Sequence, residues 1–280
     1  MKNKPDSLIW WKTFFLISLC FSLMLSGCGA SGHGLVIAGS TSVQPLIEKI
    51  SESYRKKNPN TRILVEGGGS SAGISAVILG TAHLGMSSRD LKKNDPREST
   101  LEKIVIAYDA IAVIVNPENP IKNISIENLR NLFSGKIKNW KEIGGNDRNI
   151  NLIVREEGSG TRTAFEEMVM RISKTEELSI DSFALVQDST GGVQEVVRCD
   201  PGSIGFVSMG TVRNTVKALS IDDVKPEIQN VREKKYRLVR NFLFIKSGKL
   251  ASETQEFVNY VLSNEGKSIM SREGLVEASE

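Results

Sequence analysis

The chain has 280 residues, of which 40% are hydrophobic and 25% are charged, and this composition excludes a fibrous or low-complexity protein. The length is sufficient for one large domain or two of ordinary size. The 36 lysines and arginines nearly balance the 33 aspartates and glutamates, so a net charge of +3 gives no indication of nucleic acid as a partner.

The N-terminus has the pattern of a bacterial lipoprotein signal. Lysines precede an apolar segment, residues 13–25, that is too short to cross a bilayer. Small residues follow it and lead to Cys28. We therefore predict a signal peptide over residues 1–27, lipidation of Cys28 and a tether over residues 28–34. The lipid would hold the protein at the extracytoplasmic face of the cell membrane.

The remaining cysteine and histidine content predicts neither a disulfide nor a metal centre. Cys20 leaves with the signal and Cys28 takes the lipid, so Cys199 is alone. We expect Cys199 to be a buried small hydrophobic residue. With only two histidines in the chain, a histidine-rich metal site is excluded. We predict no cofactor.

The first part of the mature chain alternates predicted strands and helices. Apolar residues recur at helical spacing after the first strand and in short runs elsewhere. The predicted elements are strand 35–39, helix 43–54, strand 61–66, helix 74–79, strand 84–88, and two buried strands within 103–116 that meet around Tyr108 and Asp109.

From residue 124 the alternation starts again. The predicted elements are helix 126–133, strand 151–155, helix 161–172, strand 184–187, helix 192–198, strand 203–208, strand 241–245 and a last helix starting at Ser252, where Ser252 and Gln255 fit a capping box. Two such runs favour two α/β lobes whose central strands are mainly parallel.

Three loops rich in Gly, Ser and Thr follow predicted strands and precede predicted helices. They are residues 39–42, 67–73 and 158–161. Such a turn presents the free N–H groups of a helix N-terminus, which favour anions, and hydroxyls add further donors. Any one of them could be a plain helix cap. Arg155, at the end of the strand before the third loop, strengthens the prediction of an oxyanion site, although it could also pair with Glu156 or Glu157.

Two other motif readings of the second loop are weaker. Residues 69–73 match the G-x-S-x-G turn of serine hydrolases, but no His follows residue 83, and His83 lies only twelve positions beyond Ser71. Residues 67–72 match a dinucleotide fingerprint, which is unspecific alone and unexpected in an exported protein. A lipid-anchored hydrolase therefore remains an alternative, but the sequence lacks the histidine that it would need.

The mature chain resembles the substrate-binding lipoproteins of phosphate ABC transporters. The resemblance is carried by six ordered segments, residues 38–45, 68–73, 85–89, 131–140, 155–161 and 201–206. It implies a type II periplasmic-binding fold, α/β with two lobes of mixed, mainly parallel sheets and a ligand cleft between them. The lobes would comprise residues 35–113 plus 240–280 and residues 114–239. The resemblance also implies a phosphate site formed by Ser40, Thr41, Ser42, Ser70, Ser88, Arg155, Ser159, Gly160 and Thr161.

Ser88 departs from the pattern, because some family members have an Asp there. A carboxylate accepts the proton of hydrogen phosphate and rejects sulfate, whereas a hydroxyl can donate or accept. We therefore expect another acceptor to preserve selectivity, with Glu157 as one candidate.

The function implied is binding of inorganic phosphate and its delivery to an ABC permease driven by an ATPase. We expect no enzymatic activity, no nucleic acid partner and a monomer on a lipid anchor. Alternatives are a binding protein for another oxyanion, such as sulfate, molybdate or tungstate, and a signalling or adhesive lipoprotein that retains the fold.

Overall fold

The computed structural model describes residues 34–173 and 175–278. The predicted signal peptide, the lipidated Cys28 and all of the tether except Gly34 lie outside these residues. None of the helices in the described part of the chain is both long enough and apolar enough to span a membrane.

Strands and helices alternate along the described residues. The strands are β1 (Leu35–Gly39), β2 (Ile63–Glu66), β3 (Leu84–Ser87), β4 (Glu102–Val115), β5 (Asn123–Ile124), β6 (Asn151–Arg155), β7 (Leu185–Gln187), β8 (Ser203–Ser208), β9 (Lys217–Ala218), β10 (Ser220–Ile221), β11 (Val239–Lys246) and β12 (Val276–Glu277). The helices are α1 (Gln44–Lys57), α2 (Ser70–Ile78), α3 (Ile126–Phe133), α4 (Gly160–Phe165), α5 (Thr190–Cys199), α6 (Ile228–Arg232), α7 (Ser252–Leu262) and α8 (Asn264–Arg272). The periodicity of the sequence therefore predicted most elements correctly.

The strands form two sheet regions. In the first, the order is β2-β1-β3-β11-β4, with β1 parallel to β2 and β3, and with β11 antiparallel to both of its neighbours. In the second, the order is β4-β8-β6-β7, with β6 parallel to β7 and β8, and with β8 antiparallel to β4. Each region has its own apolar core, one around Phe244 and Phe257 and one around Phe165 and Phe206. The predicted α/β fold of two lobes with mixed sheets is thus confirmed.

A single strand, β4, crosses from one sheet region to the other. Its residues up to Ala110 pair with β11, and its residues from Ile111 pair with β8. The prediction of two strands that meet around Tyr108 and Asp109 is therefore wrong. Asp109 does not break the strand, because its buried carboxylate accepts hydrogen bonds from side chains of two neighbouring strands.

Two helix predictions also need correction. The N-cap of α7 is Ala251 rather than Ser252, which lies inside the helix and donates to Glu256, so no capping box forms. A further helix, α8, follows after Ser263, whose hydroxyl accepts from the Gly266 N–H. The helix predicted over residues 161–172 ends earlier, because its last turn widens into a π-helix over Glu166–Met170.

The prediction for Cys199 is wrong as well. Cys199 is exposed at the end of α5 instead of buried. It accepts a hydrogen bond from Arg198 and donates one to Glu195. The apolar face of α5 is instead formed by Val193 and Val197, which are one helical turn apart.

Candidate functional site

The three predicted loops lie at the carboxyl ends of strands and converge between the two sheet regions. Parallel β1 and β2 end together in the first region, and β6 ends in the second. A side chain has no room at Gly39, because an added Cβ would lie 2.2 Å from the Met86 carbonyl oxygen. The φ angle of Gly39 is also +138°, which favours glycine. This glycine lets the first loop turn directly over the neighbouring strand.

Three buried serines of the first lobe share one set of hydrogen bonds. Ser40 Oγ donates to Ser88 Oγ over 3.0 Å, and Ser70 Oγ lies 3.3 Å from Ser88 Oγ. The Ser88 N–H donates to Ser70 Oγ over 3.0 Å. The structure thus brings together residues from three different strand ends that the sequence separates by up to 48 positions.

The loop of the second lobe adds a capped helix start. Ser159 is the N-cap of α4, and its Oγ accepts from the N–H groups of Thr161 and Arg162 at 3.2 and 3.3 Å. Gly160 packs against the serines of the first lobe, since an added Cβ would lie 2.3 Å from Ser70 Oγ and 2.7 Å from Ser88 Oγ. A side chain at this position would therefore displace these two serines or hold the two loops apart.

Hydroxyl groups join the lobes directly. Ser42 Oγ lies 2.9 Å from Thr161 Oγ1 and 3.1 Å from Thr190 Oγ1, and Thr41 Oγ1 lies 3.3 Å from Thr190 Oγ1. Backbone groups add one more link, because the Ser71 N–H donates to the Gly158 carbonyl. Together with Arg155, all nine predicted site residues meet in one polar cluster.

Arg155 is the cation of this cluster, and its residue is only 2% exposed. Its Nε and Nη2 donate to the two carboxylate oxygens of Glu156, each over 2.8 Å. Nη1 donates to Thr190 Oγ1 and Nη2 donates to the Asp188 carbonyl, both over 3.1 Å. The guanidinium is therefore held in one orientation by Glu156, whereas Glu157, the acceptor suggested by the sequence, is exposed.

The sequence reasoning missed Thr190. It lies at the first turn of α5, after the N-cap Ser189, whose Oγ accepts from the Gly192 N–H over 3.1 Å. Thr190 is buried and contacts Thr41, Ser42 and Arg155. Residues 189–192 form a fourth turn rich in Ser, Thr and Gly between a strand and a helix, so the same signal could have found it.

The geometry does not favour a serine hydrolase. His83 lies just before β3, next to the amino end of β1, where its Nδ1 accepts from the Val36 N–H over 3.0 Å. Ser71 lies beyond the carboxyl end of β2, at the opposite end of these strands, and its Oγ accepts from Arg89 Nη2 over 3.3 Å. These two residues therefore do not form a nucleophile and base pair.

The cluster has the chemistry of an oxyanion site. It combines hydroxyls, the N-terminal turns of α1, α2, α4 and α5, and one oriented guanidinium. All of the predicted site residues are buried except Thr41, which is half-buried. Such donors can hold a tetrahedral anion without any positive charge beyond that of the guanidinium. Two α/β lobes that meet around donors of this kind define a solute-binding protein of the periplasmic-binding class.

Comparisons with known proteins agree with this class. The family model of the PBP superfamily domain matches residues 27–265. The phosphate-binding protein PstS of Borreliella burgdorferi is 31% identical over 274 residues, covering 95% of this chain and 98% of that protein. PstS of Bacillus subtilis is 30% identical, covering 95% and 93%. The chain therefore belongs to the PBP superfamily and, within it, to the PstS family of phosphate-binding proteins.

Solved structures give the same result. A Clostridium perfringens protein, described as a phosphate ABC transporter substrate-binding protein with bound phosphate, matches with a TM-score of 0.83 and 37% identity. The match covers 88% of this chain and 100% of that one. An ABC-type phosphate transport receptor from Vibrio cholerae matches with a TM-score of 0.70 and 34% identity, covering 87% and 100%.

Proposed function

We propose that this protein binds inorganic phosphate outside the cell membrane and delivers it to an ABC permease for import. The observation that carries the proposal is the cluster between the lobes, in which Ser42 of the first lobe contacts Thr161 and Thr190 of the second, and Thr190 accepts from the fixed guanidinium of Arg155. The names of the relatives support phosphate as the anion. The protein acts as a binding protein and not as an enzyme.

The ligand contacts proposed are those of the predicted site with Thr190 added. Hydrogen bonds to a charged group contribute about 1.5 to 3 kcal/mol each, and micromolar affinity needs about 8 kcal/mol in total. A few of these buried donors are therefore sufficient. The hydroxyls now bonded to one another would turn toward the anion when it binds, because a hydroxyl rotates freely to suit its partner.

The proposed lobe boundaries are residues 35–113 plus 240–280 for the first lobe and 114–239 for the second. The change of partners along β4 after Ala110 and the start of β11 at Val239 support two crossings close to these boundaries. We propose that the lobes open and close about these strands, as hinged binding proteins do.

The setting proposed for this protein comes from the sequence. Cys28 carries the lipid and anchors a monomer to the extracytoplasmic face of the membrane, and its partners are phosphate and the permease with its ATPase. Nucleic acid is not among the partners. Radiolabelled palmitate that enters the native chain but not a Cys28→Ala variant would test the anchor.

Calorimetric titration tests the ligand. The chain from residue 29 onward contains the compact unit Leu35–Glu280 and would be freed of bound anions before titration with phosphate, sulfate and molybdate. One phosphate per chain, bound tightly in excess sulfate, is the expected result. Preference for sulfate or molybdate would mean that Ser88 has changed the anion selected, and no anion binding would refute the proposal.

Substitution of Arg155 tests the site. We expect Arg155→Ala to weaken phosphate binding by about 2 to 5 kcal/mol, because a buried anion loses its charged partner. The control is Arg97→Ala, since the Arg97 side chain is 77% exposed and pairs only with Asp95 at the surface. Equal phosphate affinity of the Arg155 variant and the native protein would show that the anion binds elsewhere.

A further inference from the structure

A second buried arginine lies where the lobes are joined. Arg240 on β11 is directly opposite Asp109 on β4, one position before β4 leaves the first sheet region for the second. Arg240 is 6% exposed and Asp109 is fully buried. The pair thus occupies both strands that connect the lobes.

Asp109 holds one side of this guanidinium. Its Oδ2 accepts from Arg240 Nε over 3.0 Å, and its Oδ1 accepts from Ser208 Oγ of the second lobe over 2.8 Å. Each carboxylate oxygen of Asp109 therefore accepts a hydrogen bond without the Nη groups of Arg240.

The far end of Arg240 is unsatisfied. Among the described residues, neither Nη1 nor Nη2 has a hydrogen-bond partner, although both atoms are buried. Nη2 lies 2.9 Å from Asp109 Oδ2 as an ion-pair contact, but the two atoms are not in hydrogen-bond geometry. Buried donors without acceptors are rare and costly, and in a binding protein they are candidates for contact with the ligand.

Arg240 shares its surroundings with Arg155. Burial lowers the pKa of Arg240, Asp109 raises it again by its charge and hydrogen bond, and the charge of Arg155 lowers it. Geometry places the two residues at the same end of the second sheet region, because Asp109 bonds Ser208 at the carboxyl end of β8, and Arg155 ends β6, the parallel neighbour of β8. The nitrogens of Arg155 already have acceptors in Glu156, Thr190 and Asp188, whereas the two Nη groups of Arg240 have none, so an oxyanion would supply the acceptors that Arg240 lacks.

We propose that Arg240 is the second cation of the anion site, fixed in place by Asp109 and directing its free Nη groups toward the bound phosphate. This inference rests on the proposed phosphate function and deepens it. It also explains why a guanidinium is placed on a connecting strand, since an anion that engages both Arg155 of the second lobe and Arg240 at the joint favours the closed arrangement.

The test measures phosphate affinity by calorimetry in the native protein, Arg240→Gln and Arg240→Lys. We expect the Gln variant to bind phosphate at least tenfold more weakly and the Lys variant to recover part of that loss, because it keeps the charge. The matched control is Arg237→Gln, which removes the same charge from an exposed side chain of the same segment that pairs with Asp222. Native affinity in Arg240→Gln would overturn the inference.

A double variant separates binding from folding. Arg240→Gln alone leaves Asp109 buried without its cation, which destabilises the fold, whereas Asp109→Asn with Arg240→Gln removes both charges. We expect the double variant to unfold at a higher temperature than the single one but still to bind at least tenfold more weakly than the native protein. Recovery of native affinity in the double variant would show that Arg240 acts only on the fold.

Failure of this inference differs from failure of the proposed function. If the native protein binds no phosphate, the function is wrong. If the native protein binds and Arg155→Ala does not, while every Arg240 variant binds like the native protein, the function stands and only the role of Arg240 is refuted.

Discussion

At the scale of single residues, Gly160 is packed tightly against the serines of the first lobe. A methyl group there would overlap Ser70 Oγ and Ser88 Oγ, so we expect Gly160→Ala to prevent the lobes from meeting and to weaken phosphate binding at least tenfold in calorimetry. Gly191→Ala is the matched control, because no atom lies within 4 Å of its added Cβ. Comparable losses in both variants would contradict this reading of the cluster.

Thr190 provides a second test at this scale. Thr190→Val keeps the shape of the side chain but removes the hydroxyl that contacts Arg155 and Ser42. We expect phosphate binding to weaken by about 1 to 3 kcal/mol, because a buried donor of Arg155 loses its acceptor. Thr215→Val, at an exposed position, should leave binding unchanged. An unchanged affinity for Thr190→Val would remove Thr190 from the proposed site.

The sequence predicted which residues meet better than how they bond. Gly, Ser and Thr after a strand are visible as a local pattern, which predicted the three loops and Arg155 as one site. The nine individual residues, Ser88 among them, followed from the family resemblance. Thr190 was missed although its flanking strand and helix were both predicted, because the turn between them was not included among the Gly-, Ser- and Thr-rich loops. The choice of Glu156 over Glu157 depends on side-chain directions that no local pattern contains.

At the scale of elements, α7 begins without a side-chain cap. Ala251 occupies the N-cap position with extended backbone angles, φ −63° and ψ 154°. We expect Ala251→Ser to stabilise the protein by about 0.5 to 2 kcal/mol, measured by thermal or urea unfolding. Ser252→Ala, which alters the cap predicted from the sequence, should change stability by less than about 0.5 kcal/mol. The reverse order of effects would mean that the helix begins at Ser252.

The segment after β3 is held by a buried ion pair. Arg89 Nη1 and Nη2 donate to the two carboxylate oxygens of Glu98 at 2.9 and 2.8 Å, and the Lys92 N–H donates to the same carboxylate. Burial would raise the pKa of Glu98, but the hydrogen bonds from Arg89 and Lys92 and the charge of Arg89 lower it below its usual value.

This pair predicts a dependence of stability on pH. Because the pKa of Glu98 is lower in the folded chain than in the unfolded one, its stabilisation is complete at neutral pH and is lost as the pH falls below about 4. We expect Glu98→Gln to cost about 1 to 3 kcal/mol in urea unfolding at pH 7 and much less near pH 3. The control is Glu48→Gln, at an exposed position. A cost that does not change with pH would contradict the ionised pair.

The wrong prediction for β4 and the missing prediction of α8 have the same physical cause. β4 was divided because a buried Asp usually interrupts a strand, and only the distant Ser208 and Arg240 make it acceptable. Likewise α8 is short and has few apolar residues, and it is fixed mainly by packing of Ile269 and Met270 against the first core. Contacts between distant parts of the chain override local preference in both cases.

At the scale of the whole molecule, the ligand should act as a connection between lobes. A ligand that binds only the folded state at one hundred times its Kd adds about 2.7 kcal/mol of stability, which corresponds to roughly 5 to 10 °C for a chain of this size. We expect phosphate to raise the Tm by this amount and Arg155→Ala to abolish the increase. An equal increase with sodium chloride at the same ionic strength would mean a general salt effect.

The antiparallel strand β11 also has a consequence for biosynthesis. It lies between β3 and β4 in the first sheet region, but the ribosome makes it only after the strands of the second region, β6 to β9, are complete. The second lobe can therefore fold on the nascent chain before β11 is made, and during that time the edge of β3 that pairs with β11 has no partner. A chain that terminated before residue 239 would lack β11. Its second lobe would be nearly complete, but its first sheet region would be incomplete and prone to aggregation.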